Sequence, residues 1–247
     1  MPSLRAHMVF MVELREVLVA PMPQLAAAVD AHWPAALLGS VGPDAWYFSG
    51  QTRPETHGLD TEAPSTWPGA IERWLAAHPE CRPGRSLQPE TAAFLAGYLS
   101  HLGLDTWEQY QHDDFPREAR ARLPAAWFPP AVAARQRRQA SLRALGEAPF
   151  HPDLLVTPEQ LQAAPVPPGF DAAATRRIAA GIAPALPLTD PWAISRISPL
   201  RAMPDTPDER RRWEAQRAAL PPATELERGE LLRGALAFTL AAIRSWW

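Results

Sequence analysis

His101 and Asp105 lie four residues apart in the otherwise apolar stretch from Ala96 to Trp107. On a helix, positions i and i+4 share one face, one turn apart. An imidazole and a carboxylate turned inward cost several kcal/mol if left unpaired. A bound cation would satisfy both; a buried His–Asp hydrogen bond is the plainer alternative. Three further candidate ligands precede them, His7, Asp44 and His57. Asp44 follows Gly42-Pro43, where the proline restricts the backbone and the glycine permits a sharp bend, so the carboxylate can be aimed inward. His57 follows close to Arg53. Trp46, Tyr47 and Phe48 could wall the mouth of such a site. Cys81 is the only cysteine. It excludes an intramolecular disulfide and a thiolate zinc cluster, so any metal falls to His, Asp and Glu.

The elements that must position these residues read as helices. Leu4, Met8, Met11, Val12 and Leu18 recur at helical spacing, which predicts a helix over 4–18, ended by Pro21 and Pro23. A second is expected over 22–38, interrupted by Pro34. Residues 39–66 lack periodicity and carry Gly39, Gly42, Pro43, Gly50, Pro54 and Gly58, the pattern of a long functional loop. A short helix over 68–78 and a long central helix over 89–111, with Pro89 in its first turn, follow. After Phe115 the chain turns rich in Arg, Ala and Pro. Residues 131–145 read as an exposed amphipathic helix, with Arg135 to Arg138 a solvated face. Segments 164–169 and 184–191 read as loops. Thr157–Gln160, Thr206–Glu209 and Thr224–Glu227 are capping boxes, and the last opens a helix to about Trp247. On that helix Leu232, Leu236, Leu240 and Ile243 form one stripe, fit for core packing or a dimer contact, a possible homodimer being the second use. No alternating strand runs and no repeat occur. The expected class is all-α, in one helical domain over 1–247: a metal-site half, 1–115, and a Pro/Ala/Arg-rich remainder, 116–247.

The segments Leu38-Gly39-Ser40-Val41-Gly42-Pro43-Asp44 and Thr52-Arg53-Pro54-Glu55-Thr56-His57, then Phe94 through His101-Leu102-Gly103-Leu104-Asp105, resemble bacterial zinc-dependent phospholipase C over about residues 1–112. That group shares an all-α helical bundle with fungal single-strand-specific nucleases. Its ligand order is an N-terminal His, an Asp after Gly/Ala-Pro, a His in the following loop and a helical His-x-x-x-Asp, and this chain reproduces the order. The resemblance implies that Asp44, His57, His101 and Asp105 hold one zinc. It also implies that His7 sits on a second ion, with Asp105 bridging. Bridged metals about 3.5–4 Å apart suit in-line displacement at phosphorus by a metal-activated water. Asp44 would orient that nucleophile as the catalytic residue, and Arg53, whose planar fork matches phosphate oxygens, would contact the phosphate. Another divalent metal would suit the same donors.

Two departures bear on the count of ions. The secreted members begin with a tryptophan whose free amine and carbonyl bind metal, where this chain begins Met1-Pro2. The family also carries a later His and a second His-x-x-x-Asp/Glu pair. Here His112, beside Asp113 and Asp114, has only a loose spacing for the first, and the second pair is missing. One or two ions, not three, are expected. His32, His78 and His151 are assigned no function.

Net charge is −3, so the chain does not advertise long nucleic acids as partners. Residues 1–20 mix charge with apolar residues and do not read as a signal peptide. No apolar run is long enough to span a membrane, and a cytoplasmic protein is the expectation. The function expected is hydrolysis of a phosphoester, a small one or a phospholipid head group. The alternatives are a nuclease or nucleotidase of the same fold, or a non-catalytic protein with a structural metal site.

Overall fold

Helix follows helix along the chain in the computed structural model, which describes residues 3–60, 62–81, 87–112, 115–132, 134–148, 156–182 and 206–247. In order they are α1 (Leu4–Leu18), α2 (Pro23–Ala31), α3 (Trp33–Gly39), α4 (Gly42–Ala45), α5 (Arg53–His57), α6 (Ala70–Ala77) and α7 (Pro89–Tyr110). Then come α8 (Arg117–Arg120), α9 (Arg135–Glu147), α10 (Pro158–Ala163), α11 (Ala172–Ile182), α12 (Pro207–Ala218) and α13 (Glu225–Trp246). Among the described residues there is no strand, so the class is all-α as expected. No described helix is long and apolar enough to cross a membrane. The readings placed on 184–191, His151 and Asp113-Asp114 lie outside the described residues.

α7 is the axis of the fold. Pro89 starts it at a position where a missing N–H costs nothing. Every residue from Ala92 to Tyr110 is buried, which is why the segment is apolar around its whole circumference. α2 and α3 pack along one side and α13 along another. The α3–α7 crossing is close because both helices present glycine there. A Cβ on Gly39 would stand 2.0 Å from the Phe94 carbonyl oxygen, and one on Gly97 would stand 2.0 Å from that of Ala36. On the other side Gly103 receives the Thr239 side chain of α13.

Three expectations change. The loop over 39–66 is folded into α4, a 3₁₀ turn at Trp46–Ser49, α5 and a 3₁₀ turn at Pro64–Thr66. Pieces this short show no periodicity. They are started by Pro43 and Pro54 and stopped by Gly50 and Gly58, whose φ angles of 78° and 62° favour glycine. The helix expected to be exposed near 131–145 is α9, and it buries Arg138, Ala140, Leu142 and Leu145 against α1 and α13. Arg138 is inside because Glu108 of α7, itself buried, faces it at 3.8 Å. On α13 the buried face is Leu231, Ala235, Phe238, Ile243 and Trp246, while Leu232, Leu236 and Leu240 are half-buried on its flank. The Gly103–Thr239 contact sets that rotation. The Trp246 indole N–H donates to the Cys81 carbonyl at 2.6 Å, which ties the end of α13 to its own chain.

The Thr157 and Thr224 capping boxes both form. Thr224 Oγ1 accepts from the Glu227 N–H at 3.2 Å, and the Glu227 carboxylate accepts from the Thr224 N–H at 2.9 Å. Thr224→Ala is expected to lower stability by about 1 kcal/mol, read as a fall of roughly 2–4 °C in thermal melts.

Candidate metal centre

Four elements converge on one buried point. α1 supplies His7, α4 supplies Asp44, α5 supplies Arg53 and His57, and α7 supplies His101 and Asp105. Local chemistry fixes each piece. α5 is opened by a Thr52–Glu55 capping box and held onto α7 by the Tyr98 hydroxyl, which donates to the Thr56 carbonyl at 2.9 Å. α4 lies on α7 because Gly42 leaves room for the Tyr98 and Phe94 rings. The close α3–α7 crossing carries the Ser40 carbonyl to 2.8 Å from His101 Nδ1.

His7, His57, His101 and Asp105 are at most 3% exposed, and Asp44 is 8% exposed. His57 Nε2 and His101 Nε2 stand 3.1 Å apart. Asp44 Oδ1 lies 3.7 Å from His57 Nε2 and 3.9 Å from His101 Nε2. Asp105 Oδ2 lies 3.6 Å and 3.9 Å from the same two atoms. Zinc bonds of about 2.0–2.2 Å at tetrahedral angles put donors roughly 3.3–3.6 Å from one another. The measured separations bracket that edge length.

The hydrogen bonds around the rings turn the right atoms inward. The Ser40 carbonyl can only accept, so His101 carries its proton on Nδ1 and keeps the Nε2 lone pair. The Thr56 hydroxyl stands 3.2 Å from the Thr52 carbonyl and 2.6 Å from His57 Nδ1, and donating to the carbonyl leaves it accepting from Nδ1 in the tautomer that frees Nε2 for a metal. In that tautomer two Nε2 lone pairs face each other across a buried gap. A cation between them turns a repulsive contact into coordination, and the residues present fit zinc. Protonation is disfavoured at both rings. Burial, reinforced by Arg53 and His101, holds His57 well below its usual value. Burial and the neighbouring His7 bring His101 down to about 4. Burial alone would raise Asp105, but the Arg53 guanidinium, with His7 and His101, holds it well below the carboxylate range. Neutral imidazoles and ionised carboxylates are the ligand forms.

The remaining predicted residues divide. The His7 ring stacks on that of His101 at 3.6 Å and 6°, with Nε2 3.5 Å from Asp105 Oδ1. Neither nitrogen of His7 nor Asp105 Oδ1 closes a hydrogen bond among the described residues. Arg53 is at the site, with its guanidinium on Asp105 Oδ2. Tyr47 reaches it too, with its hydroxyl 3.3 Å from His57 Nδ1. Trp46 is instead buried edge-on to His78 and Phe170, and Phe48 lies under Arg177. These two do not wall a mouth, because the 3₁₀ turn points them toward α6 and α11 respectively. His112 is turned to Glu108, at 3.1 Å, and is not in the cluster. Ser40 and Thr56 belong to no ligand motif in the sequence. Thr56 adjoins His57 and was accessible to inspection, while a backbone carbonyl such as that of Ser40 leaves no residue signature.

Among the described residues two buried groups that could hold a metal ion thus emerge, His7 with His101 and Asp105, and Asp44 with His57 and His101. No curated protein and no solved structure matches the chain. The sequence profile of the family described as zinc dependent phospholipase C matches residues 6–127, a span that contains every one of these donors. Over that span the chain resembles zinc-dependent phospholipase C, and zinc is the metal that its buried histidines and aspartates support.

Proposed function

We propose that the protein is a phosphoesterase of the phospholipase C kind, with Asp44, His57, His101 and Asp105 as zinc ligands and a phospholipid head group or small phosphodiester as substrate. The observation that carries this reading is the buried pair of facing Nε2 atoms of His57 and His101, 3.1 Å apart, with carboxylate oxygens of Asp44 and Asp105 each 3.6–3.9 Å from both. When bound there, zinc supplies Lewis acidity toward a phosphoryl oxygen and lowers the pKa of water toward neutrality. The chain's own groups do the rest. Asp44 is the donor most open to solvent, with its side chain 11% exposed against 0–4% for the other three. Its carboxylate orients the attacking water and takes its proton as oxygen bonds to phosphorus and the ester P–O bond breaks. That proton then goes to the departing oxygen. Arg53 is tied to Asp105, which fixes the direction of its fork, and it meets the phosphate at the same opening.

Zinc-loaded protein should turn over a generic bis-aryl phosphodiester, lose that activity to a chelator and regain it with zinc. Asp44→Asn should lower kcat by about 100-fold or more, the range of a positioned acid–base group. A fully zinc-loaded wild type that turns over no phosphoester would reduce the site to a structural one and end the reading.

A further inference from the structure

We infer that the centre is built for a single zinc ion, with the Arg53 guanidinium standing as the second positive charge on Asp105. The inference rests on the metal-centre reading above and concerns what each donor can still offer. Of the two donor groups, both use His101. An imidazole has one lone pair available once its other nitrogen carries a proton. His101 Nδ1 is committed to the Ser40 carbonyl, and its Nε2 faces His57 Nε2 at 3.1 Å. That lone pair belongs to the Asp44–His57 group. The second group is thereby reduced to His7 and Asp105 Oδ1, which approach to 3.5 Å. Two protein donors fall short of the three that hold a catalytic zinc.

Beside the zinc group, Asp105 faces a cation already present in the chain. Arg53 contacts Oδ2, the oxygen that also faces His57 and His101. Its side chain is only 11% exposed, and its helix is pinned by the Thr52–Glu55 box and by Tyr98. A carboxylate shared by two cations needs two positive partners, and here one is a guanidinium on the same Oδ2 that faces the imidazoles. His7 then acts through the His101 ring on which it stacks, holding that ligand's plane with Asp105 beside it at 3.5 Å. It is a positioning residue and not a ligand.

The test is a count of ions. Metal-stripped full-length chain is titrated with zinc and weighed by native mass spectrometry, with zinc affinity read by chelator competition. Wild type and His7→Ala should each take up one ion, and His101→Ala none. Arg53→Ala should still hold one ion, and more tightly by roughly tenfold, since a like charge on the ligating oxygen is gone. Arg53→Lys, which keeps the charge, should bind as wild type does. Two ions in wild type falling to one in His7→Ala would overturn the inference and leave the metal-centre reading standing. No ion in wild type would overturn both. Unchanged or weaker zinc binding in Arg53→Ala, in protein shown by circular dichroism to be folded, would overturn the role given to the guanidinium. Should Arg53→Ala not fold, the wild-type and His7→Ala counts decide the single-ion claim and Arg53→Gln decides the charge.

Discussion

His101→Ala is expected to abolish zinc binding. Wild-type protein at a free zinc concentration of about 1,000 times Kd gains about 4 kcal/mol of stability by linkage, roughly 10 °C in melting temperature for a chain of this size. The variant should show no zinc-dependent rise at all. His101 is the one donor shared by both candidate groups, and its ring is wholly buried. Alanine also removes the stacking partner of His7 and leaves the Ser40 carbonyl without its donor. His32→Ala, at the half-buried end of α2, is the control and should keep the full zinc response. A His101→Ala protein that still gains several degrees from zinc would disconnect these residues from the metal.

The second large effect comes from a residue with no side chain. At Gly97 even a Cβ would fall 2.0 Å from the Ala36 carbonyl oxygen and 2.8 Å from the Ser40 nitrogen. Both are backbone atoms of a packed helix end, so neither can swing aside. Gly97→Val should cost about 3 kcal/mol or more and force α3 off α7. Because that crossing sets Ser40 against His101, zinc affinity should fall with it. Gly229 of α13 gives the opposite sign. Nothing lies within 4 Å of a Cβ there, and Gly229→Ala should add about 0.5–1 kcal/mol by restricting the unfolded chain. Thermal melts of the two variants in parallel separate a packing glycine from a dispensable one.

The readable parts of this protein are those whose signals are local or ordered. α1 occupies Leu4–Leu18, the range its apolar spacing predicts, and α7 begins at Pro89 as its proline demands. The five candidate ligands could be chosen from residue order alone, and the structure brings all five within one cluster. What escaped was short or long-range. α5 spans five residues and has no measurable period, although Thr52 and Glu55 form the same box recognised at Thr157 and Thr224. The burial of Arg138 depends on Glu108 from another helix, and the contact of Arg53 with Asp105 joins residues 52 positions apart. Neither pairing leaves a trace in local composition, so an arginine run reads as solvated and a loop arginine reads only as a phosphate contact.

The notch at Gly103, filled by Thr239, has a consequence in time. α7 carries two metal-facing residues on one side and leans on α13 with another, and α13 is formed from residues 225–246. Synthesis delivers His7, Asp44, His57, His101 and Asp105 early, yet the wall that braces their central helix leaves the ribosome more than a hundred residues later. On a nascent chain the donors and the α3–α7 crossing that aims His101 precede the wall that braces α7 from the other side. The last helix therefore closes the packing of α7 only after every donor has been made.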